Sequence, residues 1–197
     1  MNRIAGSTPC RARSSAQALV LTGAAGSGKT TVATLLAERL GWAFSEGDDH
    51  HSAENVAKMR AGIPLTDRDR APWLNSIATW IASCSDRNEN VIVSCSALRR
   101  AYRDILRRRM PDVRFVQLIV SEDVLAARVA ARDDHYMPPT LVRSQVALFE
   151  PLTADEQGVA IDGHKDPAAI TDEIAQWLEG AVERPNSHQQ LRPRARD

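Results

Sequence analysis

The stretch Gly23-Ala24-Ala25-Gly26-Ser27-Gly28-Lys29-Thr30 fits the pattern G-x-x-x-x-G-K-[ST] of a phosphate-binding loop. The residues before it, Ala18–Thr22, form a short apolar run that is typical of a buried strand. The residues after it have apolar side chains at the spacing of one helix face: Val32, Leu35, Leu36 and Leu40. Because a phosphate-binding loop requires a strand before it and a helix after it, we predict a nucleotide-binding site here.

The residue types of this loop match the chemistry of phosphate binding. Its glycines allow backbone N–H groups to turn toward a phosphate, and the helix N-terminus adds a partial positive charge. We expect Lys29 to contact the β- and γ-phosphates and the Thr30 hydroxyl to bind Mg²⁺. The predicted nucleotide contacts run from Gly23 through Thr31.

Strand patterns alternate with helix patterns along the rest of the chain. The predicted strands are Ala18–Thr22, Trp42–Ser45, Val91–Cys95, Phe115–Val120 and Val159–Asp162. The predicted helices are Thr31–Leu40, one capped by Ser52, a longer one carrying Trp73 and Ile77, one capped by Ser121, Thr140–Glu150, and one from Asp166-Pro167 to about Val182. This alternation predicts an α/β fold with a parallel sheet and helices on both faces.

Charge and composition divide the 197-residue chain into one domain and two tails. Residues 1–17 hold three arginines and no acids, and residues 183–197 hold four arginines against two acids. Since the net charge of the chain is zero, residues 18–182 carry −5. We predict disordered basic tails at 1–17 and 183–197. A net acidic domain argues against nucleic-acid binding, and no apolar run approaches the roughly 20 residues that cross a membrane.

The cysteines and histidines give no sign of a disulfide framework or a zinc site. Three cysteines are an odd number without metal-ligand spacing. Cys95 lies in an apolar run, so we expect a buried free thiol and a cytoplasmic, reducing environment. His50 and His51 have no further ligands at a spacing that zinc requires.

Asp48 is the strongest candidate for a catalytic base or a magnesium ligand. It follows the strand Trp42–Ser45, so it lies at the crevice where α/β sheets bind ligands. A solvated or helix-capping aspartate is the alternative. Gly47 permits a sharp turn here, and the strand Val91–Cys95 ends in serines where many phosphate-loop proteins place a carboxylate. Both features favour a functional role.

Two arginines precede a predicted lid. Arg128 and Arg132 are four residues apart and share one helix face. They precede a proline-terminated segment, and we predict a lid over about residues 132–140 whose arginines close over the phosphates. Two solvated arginines are the alternative. Arg99, Arg100 and Arg103 follow the strand Val91–Cys95 on the crevice side, where one of them can bind a carboxylate.

The sequence resembles the gluconokinase family in three blocks over roughly residues 18–180. These blocks are Glu46-Gly47-Asp48-x-x-His51 continuing to Asp69-Arg70-x-Pro72-Trp73-Leu74, then Cys95-Ser96-Ala97-Leu98-Arg99-Arg100-x-Tyr102-Arg103, then Arg128-x-x-x-Arg132-x-x-His135-Tyr136-Met137-Pro138 followed by Ser144-Gln145 and Glu150-Pro151-Leu152. Three blocks in the family's order are far more specific than the phosphate loop alone.

This resemblance implies transfer of the ATP γ-phosphate to the C6 hydroxyl of D-gluconate, with Mg²⁺. It also implies a shikimate-kinase-like dimer, with a five-stranded sheet in the order 2-3-1-4-5 and a mobile lid. Asp48 would orient or deprotonate the hydroxyl and help to bind the metal, and Arg132 would stabilise the transferred phosphate. Arg128 would lie near adenine, and the loop around residues 162–164 would border the adenine. The implied substrate contacts are Asp48, His51, Lys58, Arg70, Arg103 and His135.

One of the departures from the family affects the choice of site residues, and three alternatives to the family remain. The family usually has Asp where this chain has Glu46, so Glu46 is left out of the predicted site. A shikimate kinase is the nearest rival, although Ser94-Cys95-Ser96 replaces the glycine triplet of that family. A nucleoside monophosphate kinase fits less well, because residues 62–74 do not resemble the nucleotide-acceptor segment of that family. A nucleotide-binding module without catalysis is the third alternative.

Overall fold

A parallel sheet of five strands forms the centre of the protein. The computed structural model of the chain describes residues 16–131 and 140–182. The strands are β1 (Ala18–Thr22), β2 (Ala43–Glu46), β3 (Val91–Ser94), β4 (Arg114–Ile119) and β5 (Gly158–Asp162). They lie in the order β2-β3-β1-β4-β5, and each neighbouring pair is parallel. The predicted fold class and strand order are confirmed.

Helices cover both faces of this sheet, as predicted. In the described ranges they are α1 (Lys29–Leu40), α2 (Ala53–Arg60), α3 (Asp67–Asp86), α4 (Arg100–Arg107), α5 (Glu122–Ala130), α6 (Thr140–Val146) and α7 (Pro167–Val182). Val20 of β1 belongs to a buried cluster with residues of α3 and α4, whereas Leu19 and Leu21 belong to one with α1 and α7. Successive strand residues point to opposite faces, so β1 is buried on both sides.

The helix α3 begins earlier than the sequence indicated. The apolar stripe placed this helix around Trp73, but it begins at Asp67 and contains Pro72. Its start is a capping box, in which Thr66 Oγ1 accepts the Asp69 N–H and Asp69 Oδ2 accepts the Thr66 N–H. Both donors are satisfied by side chains, so the first turn forms ahead of the apolar stripe.

The helix α6 ends at Val146, earlier than the predicted Glu150. The Glu150 N–H donates to the Leu98 carbonyl at 2.8 Å, and the Glu150 carboxylate accepts the Arg100 N–H at 2.6 Å. These bonds connect the chain after α6 to the segment after β3. The predicted cap of α7 is confirmed, since Asp166 Oδ1 accepts the Ala168 N–H at 2.9 Å.

Two residues of the predicted N-terminal tail contact the sheet. The Gln17 N–H donates to Asn90 Oδ1 at 2.8 Å, the Gln17 carbonyl accepts the Val91 N–H, and Ala16 is buried. The rest of the predicted tails, 1–15 and 183–197, and the predicted lid at 132–139 lie outside the described residues. None of the helices in the described ranges has the length and apolar character that crossing a membrane requires.

Candidate active site

The phosphate-binding loop connects β1 to α1 at the carboxyl edge of the central strand. Gly26 and Gly28 have φ values of 84° and 91°, in the left-handed region that favours glycine. Gly26 also has no room for a side chain, because a Cβ atom there would lie 2.8 Å from the Leu125 carbonyl oxygen. Gly28 directly precedes α1, so the positive end of that helix lies at the loop.

One peptide unit of the loop, which joins Ala24 to Ala25, is held on both sides. Its carbonyl oxygen accepts hydrogen bonds from Lys29 Nζ and from the Ser27 N–H, both at 3.1 Å. Its N–H donates to Gln145 Oε1 of α6 at 2.7 Å. The loop is thereby connected to a helix 120 residues further along the chain.

Oxygen atoms suited to a divalent cation lie at the end of the loop. Thr30 Oγ1 donates to Glu46 Oε2 at 2.7 Å, and the Ser94 hydroxyl donates to the other Glu46 carboxylate oxygen. Mg²⁺ prefers oxygen ligands and is usually held by one or two carboxylates together with phosphates. The Thr30 hydroxyl and the Glu46 carboxylate therefore fit this ion. Three or more His, Cys, Asp or Glu side chains do not cluster as a metal site within 16–131 and 140–182.

Glu46 is a candidate site residue that the sequence analysis missed. The sheet register pairs Glu46 with Ser94, and the β1–β3 pairing brings Ser94 next to Leu21, just before the loop. The strand order 2-3-1 was the signal that could have found it. Once β2 is placed beside β3, the last residue of β2 must lie near the phosphate loop.

Asp48 lies in a short 3₁₀ turn, Gly47–His50, directly after β2. This turn packs tightly on β3, where a Cβ atom on Gly47 would lie 2.2 Å from the Ser94 carbonyl oxygen. From the other side, Trp73 Nε1–H of α3 donates to the Gly47 carbonyl at 2.7 Å. The turn is therefore fixed between α3 and β3, and Asp48 lines the cleft beside the loop.

His51 stands next to Asp48 as a neutral imidazole. Its ring stacks on Trp73 at 4.2 Å, and burial lowers the pKa of His51 to about 4, against the opposing effect of the Asp48 charge. Asn55 Nδ2 lies 3.4 Å from His51 Nδ1, and Nε2 lies 4.0 Å from Asp48 Oδ1. An amide donor at Nδ1 assigns the proton to Nε2. His51 thus offers an N–H donor on the Asp48 side.

Arg70 brings a buried cation to the same cleft. Only 6% of the residue is exposed, and Nε has no hydrogen-bond partner among the described residues. The guanidinium carbon lies 5.6 Å from the centre of the Tyr102 ring. Burying a charge is unfavourable unless an opposite charge and hydrogen bonds compensate it. Arg70 is therefore suited to an anionic ligand in the cleft.

Asp48, His51 and Arg70 line one cleft of about 330 Å³ beside the phosphate loop. Its other walls are formed by Met59, Pro64, Leu65, Ser96, Leu141, Ser144 and Gln145. The structure thus brings together three of the six predicted substrate contacts. The predicted contact His135 and the predicted catalytic Arg132 lie outside the described residues.

Two other predicted contacts, Lys58 and Arg103, are not among the residues that line the cleft. Lys58 Nζ pairs with Asp69 at 2.8 Å and with Glu54 at 3.3 Å. Arg103 is fully buried, and its guanidinium binds both carboxylate oxygens of Glu156, at 2.6 and 2.9 Å. Its other hydrogen bonds go to the backbone carbonyls of Ala97, Leu98, Glu150 and Pro151. Both cations are thus bound to groups of the protein.

Arg128 lies where the phosphate loop meets the segment after β5. Its Nη1 donates to the Gly163 carbonyl at 3.1 Å and to the Gly26 carbonyl at 3.4 Å. His164 connects the ends of β4 and β5, with Nδ1 2.6 Å from Asp162 and Nε2 3.1 Å from Ser121 Oγ. The Ser121 hydroxyl contacts His164 and makes no cap bond in α5. Arg128 and residues 162–164 are thus neighbours, and their prediction as an adenine site stays a prediction.

A phosphate loop on this sheet, with a polar cleft beside it, defines a P-loop kinase of small molecules. The family model described as an AAA domain matches residues 19–152. A gluconokinase of Gluconobacter oxydans is 44% identical over 156 residues, which cover 79% of this chain and 88% of the relative. The chain belongs to the gluconokinase family.

Solved structures agree with this family and fold. A sugar kinase of Janibacter sp. HTCC2649 is 42% identical with a TM-score of 0.80, covering 83% of this chain and 95% of that one. A gluconokinase of Sinorhizobium meliloti is 41% identical with a TM-score of 0.75, covering 86% of this chain and 97% of that one. The likeness therefore extends over more than four fifths of this chain.

Proposed function

We propose that this protein transfers the γ-phosphate of ATP to the C6 hydroxyl of D-gluconate and releases 6-phospho-D-gluconate. The observation that carries the choice of substrate is Arg70, a buried guanidinium with an unsatisfied Nε in the cleft. A sugar acid supplies the carboxylate that this cation requires, whereas a neutral sugar does not. The identity to gluconokinases over most of the chain supports the same substrate.

In this proposal Asp48 and His51 act on the acceptor hydroxyl. Both line the cleft, and His51 Nε2 lies 4.0 Å from the Asp48 carboxylate. Asp48 orients the C6 hydroxyl and accepts its proton as the oxygen attacks the γ-phosphate. Neutral His51 donates its Nε2–H to the substrate, while Arg70, which lines the same cleft, binds the gluconate carboxylate.

The phosphate loop binds the other substrate, ATP. Its backbone amides and Lys29 hold the β- and γ-phosphates. When bound, Mg²⁺ neutralises charge on these phosphates. Thr30 and Glu46 would hold the ion, and Asp48 on the neighbouring turn remains a proposed ligand. We propose Arg128 at the adenine side, because it contacts both the loop and the segment after β5.

Several parts of the proposal rest on the sequence and the family resemblance alone. They are a lid at about 132–140, a role for Arg132 at the transferred phosphate, a substrate contact from His135, a homodimer and a cytoplasmic location. Light scattering of the purified protein tests the dimer, and Arg132→Ala tests the arginine. Loss of turnover without a change in gluconate KM is expected of Arg132, if it acts in the transition state.

The experiment that tests the proposed function is ADP release from Mg-ATP with a panel of acceptors. We expect turnover with gluconate and rates lower by on the order of 10⁴ with shikimate, glucose, glycerate and AMP, because buried polar groups reject acceptors that leave them unpaired. Preferred turnover of shikimate would contradict the proposal and favour the rival kinase. ATP binding without turnover of any acceptor would indicate a module without catalysis.

A further inference from the structure

We propose that Gln145 is a positioning residue for Lys29, acting through the peptide unit between Ala24 and Ala25. Gln145 accepts the Ala25 N–H and thereby holds the Ala24 carbonyl in the orientation that binds the Lys29 ammonium. This inference rests on the proposed kinase activity, because it concerns the lysine that binds the transferred phosphate.

The geometry of a single peptide plane connects the two side chains. A trans peptide is planar, and its C=O and N–H bonds point in opposite directions. The Ala25 N–H is 2.7 Å from Gln145 Oε1, and the Ala24 oxygen is 3.1 Å from Lys29 Nζ. Rotation of this plane would break both bonds at once. The orientation that satisfies Gln145 is therefore the one that holds Lys29.

Burial makes the Gln145 bond important for the loop. Gln145 is 5% exposed and Ala25 is 8% exposed, so bulk water is a poor substitute for either partner. A buried N–H that loses its acceptor destabilises that arrangement of the backbone. The Ser27 N–H also binds the Ala24 carbonyl, but that bond is internal to the loop. Gln145 contributes a bond from α6, a helix distant in the sequence.

The position of α6 gives this contact a functional setting. Gln145 and its neighbour Ser144 line the acceptor cleft, while Gln145 also binds the phosphate loop. The same helix therefore contacts the acceptor side and the nucleotide side. The position of Lys29 therefore depends, through one peptide unit, on a helix that lines the acceptor cleft.

The test is a double-mutant cycle on ATP affinity, measured by calorimetry with Mg²⁺ and without any acceptor. Gln145→Met keeps the length of the side chain but removes the acceptor oxygen. We expect its ATP Kd to rise about tenfold, the effect of one unsatisfied buried donor. In a Lys29→Met background the same change should raise Kd by less than about twofold, because the lysine it positions is gone.

The matched control is Arg143→Met, an exposed position on the same helix, which should keep the wild-type Kd. Equal effects of Gln145→Met with and without Lys29 would overturn the proposal. An unchanged ATP Kd in Gln145→Met would also overturn it, since the loop lysine would then be positioned without Gln145. Gln145→Asn, one methylene shorter, replaces the Met variant if that variant does not fold. The ATP Kd is measured without an acceptor, so the result does not depend on whether the protein phosphorylates gluconate.

Discussion

Asp48 is the side chain on which the proposed chemistry depends most. Replacing it with Asn keeps the shape but removes the base, so we expect turnover to fall by about 10²–10⁴ while ATP binding stays near wild type. Steady-state kinetics and ATP calorimetry check this. The control is Asp49→Asn in the same 3₁₀ turn, which should keep wild-type turnover. Wild-type turnover in Asp48→Asn would remove Asp48 from the role of base.

Arg70 should determine the preference for an acidic acceptor. Arg70→Met keeps the apolar stem but removes the charge, so we expect the gluconate KM to rise by roughly 10- to 100-fold. Glucitol, which lacks the carboxylate, should be affected by less than about twofold, because it makes no ion pair. The control is Arg99→Met, which removes the other guanidinium near Tyr102. Equal losses with both acceptors would contradict the assigned ion pair.

His51 predicts a dependence of stability on pH. Its ordinary pKa of 6.5 falls to about 4 in the folded protein because of burial. Between these values the unfolded chain binds the proton more strongly, so stability is full above about pH 6.5 and falls as the pH drops toward 4. The loss amounts to at most about 3 kcal/mol. Urea unfolding from pH 4.5 to 8 measures it, and His51→Gln should flatten the curve. If the stability of His51→Gln changed with pH as steeply as that of the wild type, the assignment of this pH dependence to His51 would be wrong.

The sequence predicted single residues well where a backbone constraint accompanied them. Asp48 follows a strand and a glycine, and both features fix its place at the sheet edge. Lys58 and Arg103 carried no such constraint, since a long cation can bind a substrate or a nearby carboxylate equally well. Asp69 and Glu156, which bind them, lie 11 and 53 residues away. Only the folded chain shows that these carboxylates are in reach.

The start of α3 depends on its capping box. Thr66→Ala removes the side-chain acceptor of the Asp69 N–H, and we expect a loss of about 1 kcal/mol in the free energy of unfolding. Urea unfolding measures this loss. The control is Thr79→Ala in the middle of the same helix, where the threonine hydroxyl bonds to Asn75 and alanine favours the helix. Equal effects of the two changes would show that the cap adds nothing.

Helices were easier to predict in their middle than at their ends. The apolar stripe of α3 identified the helix, but its start is set by the exchange of bonds between Thr66 and Asp69. Likewise, α6 ends at Val146, and the chain after it is held by the Glu150 N–H, which donates to the Leu98 carbonyl from another part of the chain. Local periodicity shows where the middle of a helix lies. It does not show the hydrogen bonds that fix the two ends. The strands of the sheet, which are short and apolar, were located to within one residue at each end.

The Arg103–Glu156 pair joins α4 to the segment between α6 and β5. Arg103→Met removes the two short bonds to the buried Glu156 carboxylate and leaves it with Thr153 and the more distant Arg100, so we expect a loss of about 3 kcal/mol in the free energy of unfolding. Glu156→Gln in the same background should recover part of this loss. Denaturant unfolding measures both effects. The folded Arg103→Met enzyme should keep its gluconate KM, and a large rise in that KM would return Arg103 to the substrate site.

The central place of β1 has a consequence for the order in which the protein is made. β1 pairs with β3 and β4, and the loop that follows it is bonded to Gln145. A ribosome therefore releases the phosphate loop long before it has made the strands and the helix that hold the loop in place. Contacts of such high sequence separation form late. The growing chain gains its nucleotide pocket only when most of the domain has emerged.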